Sequence, residues 1–214
     1  MFHKSMDREL SDLDFVTYQK HEKKIVSLLG EMGYAFDRSS QFLMTISQRY
    51  ILRDRVNNRS LDMFFDKLDF CHTIDFRKRL EVDYPTISLA DLLLEKLQIV
   101  SIETKDLKDA IILLREHPVG DGDKEMVNAE YIAKLLANDW GFWYTFTTNL
   151  SKMQEYLPEL TVLPQDDHEK IGARIRELQD HIENEPKSMG WKMRARVGTK
   201  RQWYKTVDES PQIE

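Results

Sequence analysis

The sequence has few of the residues that mark secreted, metal-clustered or membrane proteins. Its single cysteine, Cys71, excludes an internal disulfide, and its six histidines show no zinc-ligand spacing. No apolar run approaches the roughly 18 residues that a transmembrane helix needs. The first six residues lack the apolar stretch of a signal peptide. These absences predict a cytoplasmic protein without a membrane partner.

An excess of positive charge is also missing. The chain has 31 Lys and Arg residues against 37 Asp and Glu residues, which gives a formal net charge of −6. No overall positive field therefore draws it to nucleic acid, so any such binding has to come from a local patch. With 214 residues and 41% hydrophobic side chains, the chain can form one sizeable domain, or a small domain with an appendage.

What the sequence does contain is a pair of acidic residues one residue apart in an apolar run. In a strand, Asp12 and Asp14 point to the same face. A second apolar segment, 61–65, carries Asp62. If both segments are neighbouring strands, three carboxylates converge, and such oxygen clusters hold Mg²⁺ for phosphoryl or nucleotidyl transfer. The alternative interpretation is a solvated strand edge.

Hydrophobic periodicity predicts a small sheet followed by helices. The predicted strands cover about 12–17, 42–44, 49–52, 60–65 and 80–82, with an amphipathic helix over 19–32. Ser88 with Asp91 predicts a capping box, and the chain from Ser88 onward is predicted to be almost wholly helical. Later helices are predicted over 128–137, 140–156 and 166–184, the last with a capping box at Asp166 and Glu169. The predicted fold class is α+β: a small mixed β-sheet followed by a helical C-terminal region.

The last thirty residues differ in composition. Seven Lys and Arg residues between 187 and 205 are interleaved with Trp191, Trp203 and Tyr204, and no acid lies among them. This mixture lets cations meet phosphates and rings stack on bases. The alternative is an arm folded against the acidic remainder of its own chain or of a twin subunit. The predicted organisation is a sheet core over 1–87, a helical region over 88–185 and a basic aromatic arm over 186–214.

Four segments carry a family resemblance. They are a basic residue before an Asp-hydrophobic-Asp strand at 8–15, a third-carboxylate strand at 61–64, and helical Lys and Lys-Asp-x-x-Asp elements at 92–96 and 105–109. On these segments, residues 7–115 resemble a nucleotidyltransferase of the DNA polymerase β superfamily, near the AbiEii-type toxin nucleotidyltransferases. The resemblance implies a truncated nucleotidyltransferase-type sheet and Mg²⁺-dependent transfer of a nucleotide from a nucleoside triphosphate to a hydroxyl of RNA, protein or a small molecule.

The resemblance also implies roles for particular residues. Three would bind the metal ion, namely Asp12, Asp14 and Asp62. Asp62 would also take the proton of the incoming hydroxyl, and Lys96 would neutralise phosphate charge during catalysis. The residues implied to contact the bound nucleotide are Arg8, Ser11 and Lys105.

One part that the resemblance implies is not in this sequence. The superfamily has a Gly-Gly or Gly-Ser motif at the start of a helix before the paired Asp, where backbone N–H groups receive the triphosphate. Eleven residues precede Asp12, and none is glycine. A longer reading frame, a partner subunit or second copy that completes the site, or a fold without catalysis would each explain this. The alternative function is therefore a non-catalytic nucleotidyltransferase-fold binding or assembly module that contacts RNA; a toxin–antitoxin-linked component is a third.

Overall fold

The computed structural model describes residues 12–36 and 49–206, and its internal contacts divide them into two compact units. The sheet unit contains the described residues up to Asp69 together with Thr73–Glu81. The helical unit contains Phe70–His72 and the described residues from Val82 onward. The protein is α+β, with small sheets and a helical C-terminal region, as the sequence predicts.

The sheet unit is built on a mixed sheet of four described strands. They are β1 Asp12–Thr17, β2 Tyr34–Phe36, β3 Arg49–Asp54 and β4 Arg59–Phe65. Their order in the sheet is β1-β4-β3-β2, with β1 parallel to β4 and β3 antiparallel to both its neighbours. The turn between β3 and β4 contains Asn58 in the left-handed conformation, which Asn tolerates well. The predicted strands at 12–17, 49–52 and 60–65 are confirmed.

The remaining strand predictions, at 42–44 and 80–82, are not confirmed. The predicted strand at 42–44 lies outside the described residues. The predicted strand at 80–82 is wrong, because this segment forms turns. Two short hairpin strands, β5 Lys67–Asp69 and β6 Thr73–Asp75, were not predicted, and neither was the parallel pair β7 Val119–Gly120 and β8 Val127–Asn128.

One face of the sheet packs against helix α1 (Glu22–Glu31), which ends before Gly33 at φ +91°. The buried cluster on this face comprises Leu29, Leu52, Leu61, Met63 and Phe65. Burying such side chains contributes roughly 1.5–3 kcal/mol each. The predicted apolar face of α1 is only partly used, since Leu28 and Met32 remain 53% and 62% exposed.

The helical unit contains six described α-helices. They are α2 Leu89–Leu97, α3 Thr104–Glu116, α4 Ala129–Leu136, α5 Trp140–Tyr156, α6 Gln165–Asn184 and α7 Met189–Val197. The Ser88 hydroxyl accepts the Asp91 N–H, which confirms that start. The predicted capping box at Asp166 is wrong, because α6 begins after Pro164 without a side-chain cap. Among the residues with described positions, no helix is both long and apolar enough to cross a membrane.

Polar side chains of α5 and α6 bind backbone carbonyls at the ends of α2 and α3. Asn149 on α5 is 1% exposed, and its side-chain amide donates to the carbonyls of Leu97 and Ile99 at 3.0 and 2.8 Å. The Arg174 guanidinium donates to the carbonyls of Leu114 and Arg115, each at 2.8 Å. The last carbonyls of a helix have no intrahelical donor, so these bonds satisfy groups that burial would otherwise leave unpaired.

Candidate functional site

The predicted acidic residues lie on one face of the sheet. Asp14 and Asp62 are direct Cα partners in the parallel pair of β1 and β4, and Asp12 is the partner of Ser60. Adjacent strands lie about 4.8 Å apart, and partners in register project from the same face. Asp12, Asp14 and Asp62 therefore share a face, named here the acidic face, and the opposite face holds the buried cluster. The predicted juxtaposition of the two strands is confirmed.

The three carboxylates differ in their surroundings. Asp12 and Asp14 are exposed, whereas Asp62 is 8% exposed and forms an ion pair with the Arg49 guanidinium. Arg49 comes from β3, and its guanidinium carbon also lies 5.5 Å from the centre of the Phe64 ring. Asp62 is thus held by a side chain of a neighbouring strand.

Sequence reasoning missed Arg49. The available signal was its position two residues before Ile51, which is the antiparallel partner of Asp62. Side chains two residues apart in a strand share a face, so the pairing register would have placed Arg49 beside Asp62. Without that register, Arg49 is one of many basic residues in the sequence.

The acidic face suits a magnesium ion only in part. Within residues 12–36 and 49–206, no three His, Cys, Asp or Glu side chains come close enough together to hold a metal ion. Mg²⁺, however, is commonly bound by one or two carboxylates together with substrate phosphates rather than by an all-protein cage. Two exposed carboxylates on one strand, Asp12 and Asp14, provide the hard oxygen donors that this kind of binding requires.

A cavity of about 500 Å³ lies at the carboxyl ends of the same two strands. Tyr18 follows β1 directly and Asp66 follows β4 directly, and both line it. Its remaining lining residues are Lys20, Arg77, Lys78 and Glu81. Tyr18 donates a hydrogen bond to Glu81, and this bond raises the pKa of the Tyr18 hydroxyl. The cavity combines an aromatic ring and two carboxylates with three cationic groups, one of which, Arg77, is paired with Asp75. No local sequence pattern indicates this grouping.

The helical residues implied by the resemblance lie in the helical unit. Lys96 on α2 and Asp109 on α3 form an ion pair at 3.6 Å, so the segments 92–96 and 105–109 lie next to each other. Lys96 also lies 3.9 Å from Glu95. Lys105 pairs with Glu103 at 3.0 Å on the surface. Arg8 and Ser11 lie outside the described residues.

A buried histidine forms a separate polar cluster in the helical unit. His72 is 4% exposed and stacks on Phe142 with ring centroids 4.8 Å apart. Its Nε2 is hydrogen-bonded to the Thr145 hydroxyl at 2.8 Å, and its backbone N–H donates to Gln98. Burial lowers the pKa of His72 to about 4, so the ring is neutral at physiological pH. This arrangement is that of a structural histidine.

Comparisons with protein-family models, with curated proteins and with solved structures found no match. The nucleotidyltransferase interpretation therefore depends on the residues and the geometry of this chain alone.

Proposed function

We propose that the protein is a Mg²⁺-dependent nucleotidyltransferase that transfers a nucleotide from a nucleoside triphosphate to a hydroxyl acceptor. The observation that carries the proposal is the in-register pairing of Asp14 with Asp62 on parallel strands, with Asp12 on the same face. In the proposal, Asp12 and Asp14 hold the ion together with phosphate oxygens of the donor. A bound Mg²⁺ would neutralise the charge that spreads over the transferring oxygens.

The reaction assigns distinct tasks to the side chains of the acidic face. The acceptor hydroxyl oxygen forms a bond to the α-phosphorus of the donor, the bond to pyrophosphate breaks, and Asp62 accepts the hydroxyl proton. Arg49 forms an ion pair with Asp62, and this pair fixes the direction of the Asp62 carboxylate. Precise orientation matters, since misplacing a catalytic group by about 1 Å costs on the order of 100-fold in rate.

The cavity at the strand ends supports binding of the donor. Lys20 and Lys78 line it together with Arg77, which is paired with Asp75, and cationic side chains of this kind neutralise phosphate oxygens. In the proposal, these side chains bind part of the donor triphosphate, which backbone N–H groups of a glycine motif bind in the superfamily. The roles that the resemblance implies for Lys96 and Lys105 stay predictions.

Incubation with radiolabelled nucleoside triphosphates, Mg²⁺ and candidate RNA, protein and small-molecule acceptors tests the proposal. We expect Asp14→Asn to reduce incorporation by about 100-fold or more. The substitution removes one of the two carboxylates that would hold the metal ion against the donor phosphates. Asp166→Asn is the matched control, since it removes an exposed carboxylate from the first turn of α6. Equal incorporation by the wild type and Asp14→Asn would contradict the proposal.

A cytoplasmic location belongs to the same proposal. It is compatible with the single cysteine, because a chain without an internal disulfide can fold in a reducing compartment. Fractionation of cells that produce the tagged full-length protein is the direct measurement.

A further inference from the structure

Helix α7 presents two different faces. Trp191 and Arg194 point toward α5, where Trp191 packs edge-on against Trp143 with ring centroids 5.1 Å apart. The exposed face has helical spacing i, i+3, i+4 and i+7, which places its members in one stripe. These members are Met189, Lys192, Met193 and Arg196.

The inward face fixes the helix to the rest of its unit. The Arg194 guanidinium carbon lies 4.7 Å from the centre of the Trp140 ring, and its nitrogens donate to the carbonyls of Gly198 and Arg201 at 2.7 and 2.8 Å. The Ser188 hydroxyl caps the first turn by accepting the Trp191 N–H. These contacts hold α7, and with it the backbone of the outer stripe, in a defined position. Among the residues that the structure describes, the partners of Arg194 are an aromatic ring and backbone carbonyls rather than acids.

The outer stripe continues into a cationic surface. Lys200 and Arg201 follow α7 and are exposed, as are Lys192 and Arg196. Across the described part of the chain, these four side chains make no ion pair, whereas Lys134 and Lys170 pair with acids on their own helices. We name the four residues the cationic surface: Lys192, Arg196, Lys200 and Arg201.

Two exposed methionines of α7 lie beside the cationic surface. Met189 and Met193 are 72% and 64% exposed, although methionine is usually buried. The tryptophans of the arm are not available in the same way, because Trp191 packs on Trp143 and Trp203 packs on Tyr144. The surface therefore offers exposed cations beside exposed apolar side chains, whereas Trp191 and Trp203 are engaged within the helical unit.

We propose that the cationic surface binds single-stranded RNA through its phosphate backbone. Four cations without acids match a polyanion, and the two methionines match the base faces that only an unpaired strand exposes. Unpaired strands in cells are chiefly RNA, and two methionines are too few to hold a membrane surface. The inference does not depend on nucleotidyl transfer, and binding is measured without a nucleoside triphosphate.

The structure also assigns Arg194 a different role from its neighbours. Although Arg194 is a cation of the same segment, its donors are engaged by backbone carbonyls and its plane lies over Trp140. We expect RNA binding to depend on the cationic surface and the folding of α7 to depend on Arg194. Neutralising Arg194 is therefore unsuitable as a test of binding.

The test is fluorescence anisotropy of the full chain with a labelled single-stranded RNA of mixed sequence. If all four cations contact phosphates, the wild-type affinity falls about 50-fold between roughly 50 and 200 mM salt, because each phosphate contact adds about 0.7 to the salt slope of a single strand. The variant carrying Lys192→Gln, Arg196→Gln, Lys200→Gln and Arg201→Gln is expected to lower that slope by about 3.

A matched control removes equal charge elsewhere, with Lys23→Gln, Lys24→Gln, Lys124→Gln and Arg176→Gln, all at exposed positions. We expect it to keep the wild-type slope. A second variant, Met189→Gln with Met193→Gln, is expected to weaken binding several-fold at an unchanged slope. Equal slopes for the two charge variants, stronger binding to single-stranded DNA of the same sequence, or capture by phosphatidylserine vesicles without RNA binding would each overturn the proposal.

Discussion

The backbone carbonyl of Trp203 lies so close to Gly141 that a β-carbon at position 141 would overlap its oxygen. The Trp203 indole packs edge-on against Tyr144 at 5.1 Å, and its N–H donates to the Thr145 hydroxyl at 3.0 Å. The first turns of α5 therefore contact both the backbone and the side chain of Trp203. The C-terminal segment is seated by close contact at a glycine.

Gly141→Ala is expected to destabilise the helical unit. Alanine normally stabilises a helix interior by about 1 kcal/mol relative to glycine. Here the overlap with the Trp203 carbonyl is expected to reverse the sign, to a net loss of about 1–3 kcal/mol. Urea unfolding measures the loss, and faster tryptic cleavage after Lys200 and Arg201 reports the released segment.

Gly172→Ala on α6 is the control for this substitution. A β-carbon there would meet only the end of the flexible Arg176 side chain, at 3.4 Å. We expect this change to be neutral or to stabilise the protein by up to about 1 kcal/mol. Equal stabilisation by both substitutions would show that the Trp203 contact is not held in solution.

Asn149→Ala is expected to lower the free energy of unfolding by about 2–4 kcal/mol, because it leaves two carbonyls, one buried and one partly buried, without their donor. These are the carbonyls of Leu97 and Ile99. Asn138→Ala is the matched control, since the exposed Asn138 amide donates to a single carbonyl, that of Lys134. Thermal unfolding of both variants decides the prediction, which fails if their losses are equal.

Acidification is expected to destabilise the helical unit through His72. Burial lowers the pKa of His72 to about 4, below the ordinary value of 6.5, so the unfolded chain binds more protons between these two values. Stability is therefore complete above about pH 6.5 and is lost as the pH falls toward 4. Between pH 7 and 5 the loss from this residue is about 2 kcal/mol.

The His72→Gln variant separates this effect from other titrations. It lacks the titrating ring, so the free energy of unfolding should fall by about 2 kcal/mol less than that of the wild type between pH 7 and 5. Urea titrations at both values provide the comparison. The same pH dependence in both proteins would contradict the prediction, because it would mean that water reaches His72 and that its pKa is not lowered.

Arg49 and Asp62 are expected to be energetically coupled. A double-mutant cycle of Arg49→Gln and Asp62→Asn should give a coupling of about 1–3 kcal/mol, because Asp62 is largely buried. The pair of Arg77 and Asp75 is the control. Its side chains are 68% and 47% exposed, so its coupling should stay below about 1 kcal/mol. Couplings of equal size would remove Arg49 from the proposed site.

The sequence predicts those parts of the fold that local signals determine. Alternation of acids with apolar residues is enough to place β1, and a serine followed three residues later by an aspartate is enough to begin α2 at Leu89. The helix predicted over 140–156 is also confirmed, as α5, and the Asp139 side chain caps its first turn. In each case the signal lies within one turn or one strand.

Features that depend on distant partners could not be predicted. The sequence suggests that Trp191 is available for base stacking, but in the structure it packs against Trp143. Arg49 is one basic residue among many until the register of β3 and β4 brings it to Asp62. The short strand β5 lacks enough residues for a periodic pattern, and pairing with β6 defines it.

Residues 70–72 connect two strands of the sheet unit, yet they belong to the helical unit, where Cys71 accepts the Lys205 N–H and His72 meets Gln98. The polypeptide therefore enters the helical unit, leaves it and enters it again. No single break in the backbone divides this protein into two self-sufficient halves. A truncation that aims to isolate either unit therefore has to retain or replace this three-residue segment.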